Sequence, residues 1–303
     1  MELVTLCKAL GDPTRARLAG ILLRHELNVG EIVQVLGMGQ SRVSRHLKVL
    51  VDSGLLLLRR EGLWSFYRAV ETGAGRAFLD AVRSLLAERE DAARDLDEAA
   101  AVVRERATAT RRFFDSIAPD WDRLQADILG DFDLAAEILK RMPGRGVMAD
   151  LGCGTGELLA LLAPRATKAI GVDNSPRMLD IAARRFRDNG SVSLRIGELT
   201  HLPLRDWEAD FAVMSMVLHH LAEPREALAE AARVLKLGGR LVVADFDEHA
   251  DEHMRAAYGD HRLGFSPETV RQWLTQARFE LAGSKDFPVN RNLTVVVYEA
   301  VKK

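Results

Sequence analysis

Val147-Met148-Ala149-Asp150-Leu151-Gly152-Cys153-Gly154-Thr155-Gly156 decides the fold of the larger part of this 303-residue chain. Five strand-prone residues run straight into three alternating glycines, and Glu157–Leu162 continues as a helix. About twenty residues further on, Ala169-Ile170-Gly171-Val172-Asp173 reads as a second strand that ends in an acid. Strand, glycine turn, helix and acid-tipped strand make the nucleotide-binding half of a doubly wound parallel sheet. Glycines let the backbone approach a ligand closely, and the acid can accept both hydroxyls of a ribose. The spacing is G-x-G-x-G, not the G-x-G-x-x-G of dinucleotide sites, and Asp150 stands two residues before the first glycine. Negative charge there disfavours a pyrophosphate and welcomes an ammonium or a sulfonium.

From Phe113 onward, strands alternate with helices, as a parallel α/β sheet requires. The stretch D-L-G-C-G-T-G at 150–156 resembles motif I of the class I S-adenosylmethionine-dependent methyltransferases. Asp210–Ser215 with Met216-Val217-Leu218-His219-His220-Leu221 is similar to that family's fourth strand and its loop. Leu235-Lys236-Leu237-Gly238-Gly239-Arg240-Leu241 is similar to the turn into the fifth, with Leu237 where proline is more usual. The resemblance covers residues 113–303 and implies a Rossmann-like seven-stranded fold that holds S-adenosylmethionine or S-adenosylhomocysteine. By that resemblance Gly152, Gly154 and Gly156 line the methionine side, Asp173 holds the ribose and Met178 packs on the adenine. Glu198 meets the adenine amino group, where Asp is commoner, and Asp150, Asn174, Leu199 and Ser215 complete the set.

Other residues of this part have plainer alternatives. His219 and His220 are candidates for a general base and a substrate contact, against a structural role. Trp121 is either a lid or core, and Cys153 is a small residue in the glycine loop. His249, His253 and His261 lie among acids near Asp245 and Asp247, where they could bind a metal, but regular ligand spacing is lacking, so surface or substrate-pocket roles are expected and no metal.

Residues 3–70 have another character. Asp12-Pro13-Thr14 is a helix start, with Pro where its missing N–H costs nothing. Glu31–Leu36 is a short helix stopped by Gly37. Gln40–Leu50 follows, with Val43, Leu47 and Leu50 on one buried stripe. Gln40, Ser41, Arg42, Ser44, Arg45 and Lys48 then form a face rich in donors, the arrangement of a helix-turn-helix that reads the major groove. Leu55–Arg60 and Trp64–Val70 flank Glu61-Gly62, a hairpin turn signal, and put Arg59 and Arg60 near phosphates. Ala9-Leu10-Gly11-Asp12-Pro13-Thr14-Arg15, Gln40-Ser41-Arg42-Val43-Ser44-Arg45-His46-Leu47 and the hairpin together resemble the ArsR family of bacterial repressors. Many members of that family sense metals through cysteines at a helix start. Here Asn28 and Gly30 stand in that place, and lone Cys7 cannot supply a site.

Composition agrees with two folded parts. Hydrophobic residues make up 48% and charged residues 28%, which excludes a largely disordered chain. The net charge of −2 hides an asymmetry: residues 1–70 carry ten Lys/Arg against six acids, so the rest of the chain is acidic. Two cysteines exclude a disulfide framework. The absence of a signal-like start and of a long apolar run points to a cytoplasmic protein without a membrane span.

Between the two parts, residues 74–112 read as one long helix. Phe78, Val82, Leu85, Ala92, Leu96, Ala99 and Val103 form a heptad seam interrupted by Arg89. The preferred reading is a two-fold dimer helix, since a dimer matches a palindromic operator; packing on its own methyltransferase domain is the alternative. The expected division is 1–70, winged helix-turn-helix; 71–112, linker and dimerisation helix; 113–303, methyltransferase-like domain. The combination is similar to fused ArsR–methyltransferase regulators, including a type responsive to S-adenosylhomocysteine that represses methionine-cycle genes. It implies a DNA-binding repressor controlled by S-adenosylhomocysteine or S-adenosylmethionine. An active small-molecule methyltransferase that regulates its own operon is the other reading.

Overall fold

A computed structural model describes residues 3–61 and 64–303. Part of the expected hairpin turn, Gly62, lies outside the described residues. Two compact units divide the chain, residues 1–107 and 108–303.

The first unit begins with α1 (Leu3–Leu10) and α2 (Pro13–Leu22), the latter started by the Asp12 carboxylate, which accepts the Arg15 N–H at 3.0 Å. Strand β1 (Leu27–Asn28) leads into α3 (Val29–Leu36). Asn28 and Glu31 form a reciprocal capping box there, and Gly37 ends the helix in the left-handed region. Helix α4 (Gln40–Asp52) buries Val43, Leu47 and Leu50 completely. Strands β2 (Leu56–Glu61) and β3 (Trp64–Ala69) pair antiparallel, and β1 adds to the other edge of β3. This is a helix-turn-helix with a wing.

The stretch expected as one helix over 74–112 is instead three: α5 (Gly73–Ala81), α6 (Arg83–Ala87) and α7 (Ala92–Ile117). The chain breaks where Glu88-Arg89-Glu90-Asp91 puts four charges in a row. Asp91 and Asp95 are both drawn to Arg17 of α2: Arg17 Nε lies 3.3 Å from Asp91, and the guanidinium grips Asp95 through two bonds of 2.7 Å. Ala99 and Val102 of α7 join the core of the first unit, whereas Leu85, an expected seam residue, is exposed.

The second unit begins within α7 and continues through α8 (Trp121–Leu129), α9 (Leu134–Leu139), β4 (Val147–Leu151), α10 (Glu157–Leu162), β5 (Lys168–Asp173), α11 (Pro176–Arg185), β6 (Val192–Ile196) and β7 (Ala209–Ser215). It closes with α12 (Pro224–Val234), β8 (Leu235–Phe246), α13 (His253–Tyr258), α14 (Pro267–Gln276), β9 (Phe279–Pro288) and β10 (Thr294–Lys302). The seven strands lie in the order β6-β5-β4-β7-β8-β10-β9, with β4 to β8 parallel and β10 antiparallel to both neighbours. Strand periodicity fills both faces. Ala212, Met214, Leu241 and Val243 pack with α12 and α14, while Phe211, Val213, Val242 and Ala244 pack with α8, α9 and α13. The sheet is thus covered on both sides, and the site lies beyond the carboxyl ends of β4, β5 and β7, where such sheets bind ligands.

Candidate functional site

The glycine loop is bent by its own sequence. Gly152, Gly154 and Gly156 have φ of +87°, +50° and +82°. A Cβ on Gly152 would meet Val217 at 2.6 Å, and one on Gly156 would meet Phe186 at 2.8 Å. Those two glycines are required by the protein's own packing. A Cβ on Gly154 would meet only the Trp121 ring, at an ordinary contact distance of 3.5 Å, so of the three glycines Gly154 is the one not closed in by the packing.

Two carboxylates flank this loop. Asp173, at the end of β5, accepts the N–H of Gly154 and of Ser175, each at 2.9 Å. Its pKa is raised because burial outweighs those donors. Asp150, on β4, is buried, and its Oδ2 has no hydrogen-bond partner among the described residues. Burial first, and then the charge of Asp173, push its pKa up to about 7. Burial also raises the Cys153 thiol, with Asp150 adding to it, so this cysteine stays protonated. An unpartnered carboxylate oxygen beside an open glycine fits the cationic end of an adenosyl ligand.

The remaining expected contacts lie around the same edge. Met178 and Leu199 are buried, Ser215 ends β7, and Asn174 donates to Glu198 at 3.0 Å. Glu198 itself is exposed. Ser175 Oγ, which caps α11, also donates to Asp115 at 2.6 Å, and Thr155 donates to Asp122. Residues 113–122 thereby pack against the loops after β4 and β5. Only the aromatic run Phe113–Trp121 hints at these ties in the sequence.

His219 and His220 are both buried, on the turn after β7. His219 Nδ1 lies 2.7 Å from Asp245 Oδ1, and its Nε2 lies 3.6 Å from Asp260. Burial lowers its pKa, but Asp245 and Asp260 prevail and push it up to about 9. Burial and the neighbouring His219 hold His220 well below the usual histidine range. Phe114 and Trp121 meet the His220 ring edge-on, at 4.7 and 6.3 Å between centroids. A cavity of about 20 Å³, close to the room of one water, is lined by Trp121, Gln125, Met216, Tyr258 and the two histidines, among others. Asp245 and Asp260 stand 26 and 41 residues from His219, so no spacing in the sequence marks them as its partners. His261 turns instead to Thr110, and His249 lies against Phe246.

On the first unit, Gln40, Ser41, Arg42, Arg45 and Lys48 are exposed along α4 and Ser44 is half-buried. Lys48 pairs with Asp52 at 2.9 Å, and Arg45 Nε reaches the Ser41 carbonyl at 3.3 Å. The two wing arginines differ. Arg60 is exposed, whereas Arg59 meets the buried Glu26 carboxylate through two contacts of 3.2 Å and lies over Phe66. Asn28 is occupied in capping α3.

A family model described as "Bacterial regulatory protein, arsR family" matches residues 12–56, and one described as "Methyltransferase domain" matches residues 149–243. An uncharacterised 37.1 kDa protein in transposon Tn4556 of Streptomyces fradiae is 36% identical over 166 residues, 50% of this chain and 48% of its own. The demethylmenaquinone methyltransferase of Clavibacter sepedonicus is 33% identical over 122 residues, 40% of this chain and 50% of its own. The chain therefore spans about half the length of these relatives. Among solved structures, geranyl diphosphate C-methyltransferase from Streptomyces coelicolor, in complex with Mg²⁺, geranyl diphosphate and S-adenosylhomocysteine, matches with a TM-score of 0.51 at 16% identity. That match covers 56% of this chain and 76% of the other, and it shows the fold. Among the described residues no helix is long and apolar enough to cross a membrane.

Proposed function

We propose that this chain, which joins an ArsR-family regulatory segment to a class I methyltransferase domain, is a DNA-binding transcriptional repressor whose second domain holds S-adenosylhomocysteine or S-adenosylmethionine as effector. In this reading residues 1–70 bind DNA, 71–112 link and dimerise, and 113–303 hold the ligand. The observation that carries it is an imbalance within the cleft. The donor side offers Gly154, which only the Trp121 ring approaches, an unpartnered Asp150 oxygen and Asp173, whereas the space beside it lined by Trp121, His219 and His220 measures about 20 Å³. A site that binds the adenosyl ligand but has little room for an acceptor suits sensing better than turnover.

Gln40, Ser41, Ser44 and Arg45 would meet base edges, and Arg42, Lys48 and Arg60 phosphates; Arg59, held by Glu26, would support the wing. A dimer would place two such helices on a palindromic operator. The genes controlled would be those that make and consume the adenosyl compounds. A ligand acts by preferring one arrangement of the dimer over another. The experiment is anisotropy of a labelled fragment from upstream of the gene at fixed salt, titrated with each adenosyl compound.

One observation favours the enzymatic alternative, a small-molecule methyltransferase that also binds its own operator. His219 and Asp245 form a buried pair of the kind that positions a general base. S-adenosylmethionine would supply the methyl group, and release of S-adenosylhomocysteine in the presence of cell extract would identify turnover.

A further inference from the structure

We propose that His219, His220 and Asp260 form a site for one divalent transition-metal ion of the zinc type. The three side chains are 2%, 5% and 4% exposed, and one ligand atom from each lies within 4.8 Å of the others. Asp260 Oδ1 stands 3.6 Å from His219 Nε2 and 3.7 Å from His220 Nδ1. Two donors bonded at about 2.0–2.1 Å to a tetrahedral ion stand about 3.3–3.4 Å apart, so the two edges at Asp260 need close by only a few tenths of an ångström, and the edge between the histidines already lies within 4.8 Å.

Two further observations point to a ligand. Among the described residues neither oxygen of the buried Asp260 carboxyl has a hydrogen-bond partner. A buried carboxyl group that makes no hydrogen bond and meets only the two imidazoles at 3.6–3.7 Å is costly, and a cation on Oδ1 lowers that cost. His219 also has the support that a ligating histidine needs. Asp245 Oδ1 lies 2.7 Å from His219 Nδ1, and the same carboxylate accepts the N–H of Leu218 at 2.9 Å and of Phe246 at 2.8 Å. Asp245 thus fixes the ring with Nε2 turned to Asp260, the carboxylate–histidine–metal arrangement.

Two imidazoles and one carboxylate suit zinc or a similar ion better than magnesium or calcium, which prefer all-oxygen sites. His220 Nδ1 now lies 3.3 Å from the Gly259 carbonyl, a contact the cation would replace. The adjacent cavity of about 20 Å³ leaves room for one water as a fourth ligand. The proton on His219 Nε2 leaves to solvent when the ion binds. The site stands independently of the regulatory reading, since neither DNA nor an adenosyl compound enters it.

The test is a titration of the full chain, stripped with a chelator, with Co²⁺ as a visible surrogate for Zn²⁺. One equivalent should give the absorption of a tetrahedral ion, and one equivalent of Zn²⁺ should abolish it. Asp260→Asn should weaken Co²⁺ binding by about 100-fold or more. If that variant fails to give a cooperative melt, His220→Gln is read in its place, with the same expected loss. A wild-type chain without the Co²⁺ spectrum, or one whose binding survives both substitutions, overturns the site and leaves His219 and Asp260 as a metal-free ion pair.

Discussion

The Gly154 N–H donates to Asp173 Oδ2 at 2.9 Å, fastening the glycine loop after β4 to the tip of β5. The other oxygen accepts from Ser175, at the start of α11. The carboxylate assigned to the ribose therefore also holds the two loops in which the ligand would rest. Sequence position and local geometry agree here: a strand-end acid meets a loop that only glycine can bend.

Asp173→Ala should weaken binding of S-adenosylhomocysteine by about 10–100-fold, the loss of charge-assisted hydrogen bonds, and abolish any effect of that ligand on DNA. Affinity for DNA without ligand should remain within about twofold, because the substitution lies in the other unit. Calorimetry for the ligand and anisotropy for DNA separate the two readouts. A folded variant that loses DNA binding contradicts the separation.

Asp150 gives a pH dependence with a definite sign. Its folded pKa, about 7, lies above the ordinary aspartate value. The folded state therefore holds the extra proton, so the stability linked to this group is present below about pH 4 and lost as pH rises through 7. A cationic ligand reverses the preference by favouring the ionised carboxylate. Affinity for either adenosyl compound should rise with pH between about 5.5 and 7.5 and then level off. Asp150→Asn should flatten that rise in a dissociation-constant profile.

Arg59 and Arg60 are neighbours with different tasks. Arg60→Ala should weaken DNA binding across all sequences and reduce the salt dependence by about one phosphate contact. Arg59→Ala should mainly destabilise the first unit, by about 1–3 kcal/mol, because it strips a partner from the buried Glu26. Thermal melts and DNA titrations at several salt concentrations should divide the two effects in that way.

Arg17→Met should lower the stability of the first unit by about 3–5 kcal/mol, since Asp95 is 2% exposed and would be left buried with its charge. Adding Asp95→Leu should recover much of the loss, because replacing both partners of a buried pair by apolar groups is often neutral. The difference is measured by thermal or denaturant unfolding of the single and double variants.

Features that local chemistry decides were legible in the sequence. Asp12 caps α2, Gly37 stops α3, and Val43, Leu47 and Leu50 bury one face of α4 as their spacing requires. The glycine loop and the acid at the end of β5 were readable for the same reason. What was not legible depends on partners far along the chain. The helix breaks before Ala92 because Arg17, more than seventy residues earlier, draws in Asp91 and Asp95. Arg59 turns to Glu26, 33 residues away, and so is not a free wing charge. Asp260 reaches His219 across 41 residues, so no ligand spacing revealed the pair.

The central claim is that an adenosyl compound in the second unit controls DNA binding by the first. Anisotropy of a labelled fragment from upstream of the gene, at fixed salt, tests it most directly. The account predicts that S-adenosylhomocysteine shifts the DNA affinity of the wild-type chain, that S-adenosylmethionine shifts it far less, and that Asp173→Ala responds to neither. A fragment bound equally with and without saturating ligand would contradict it.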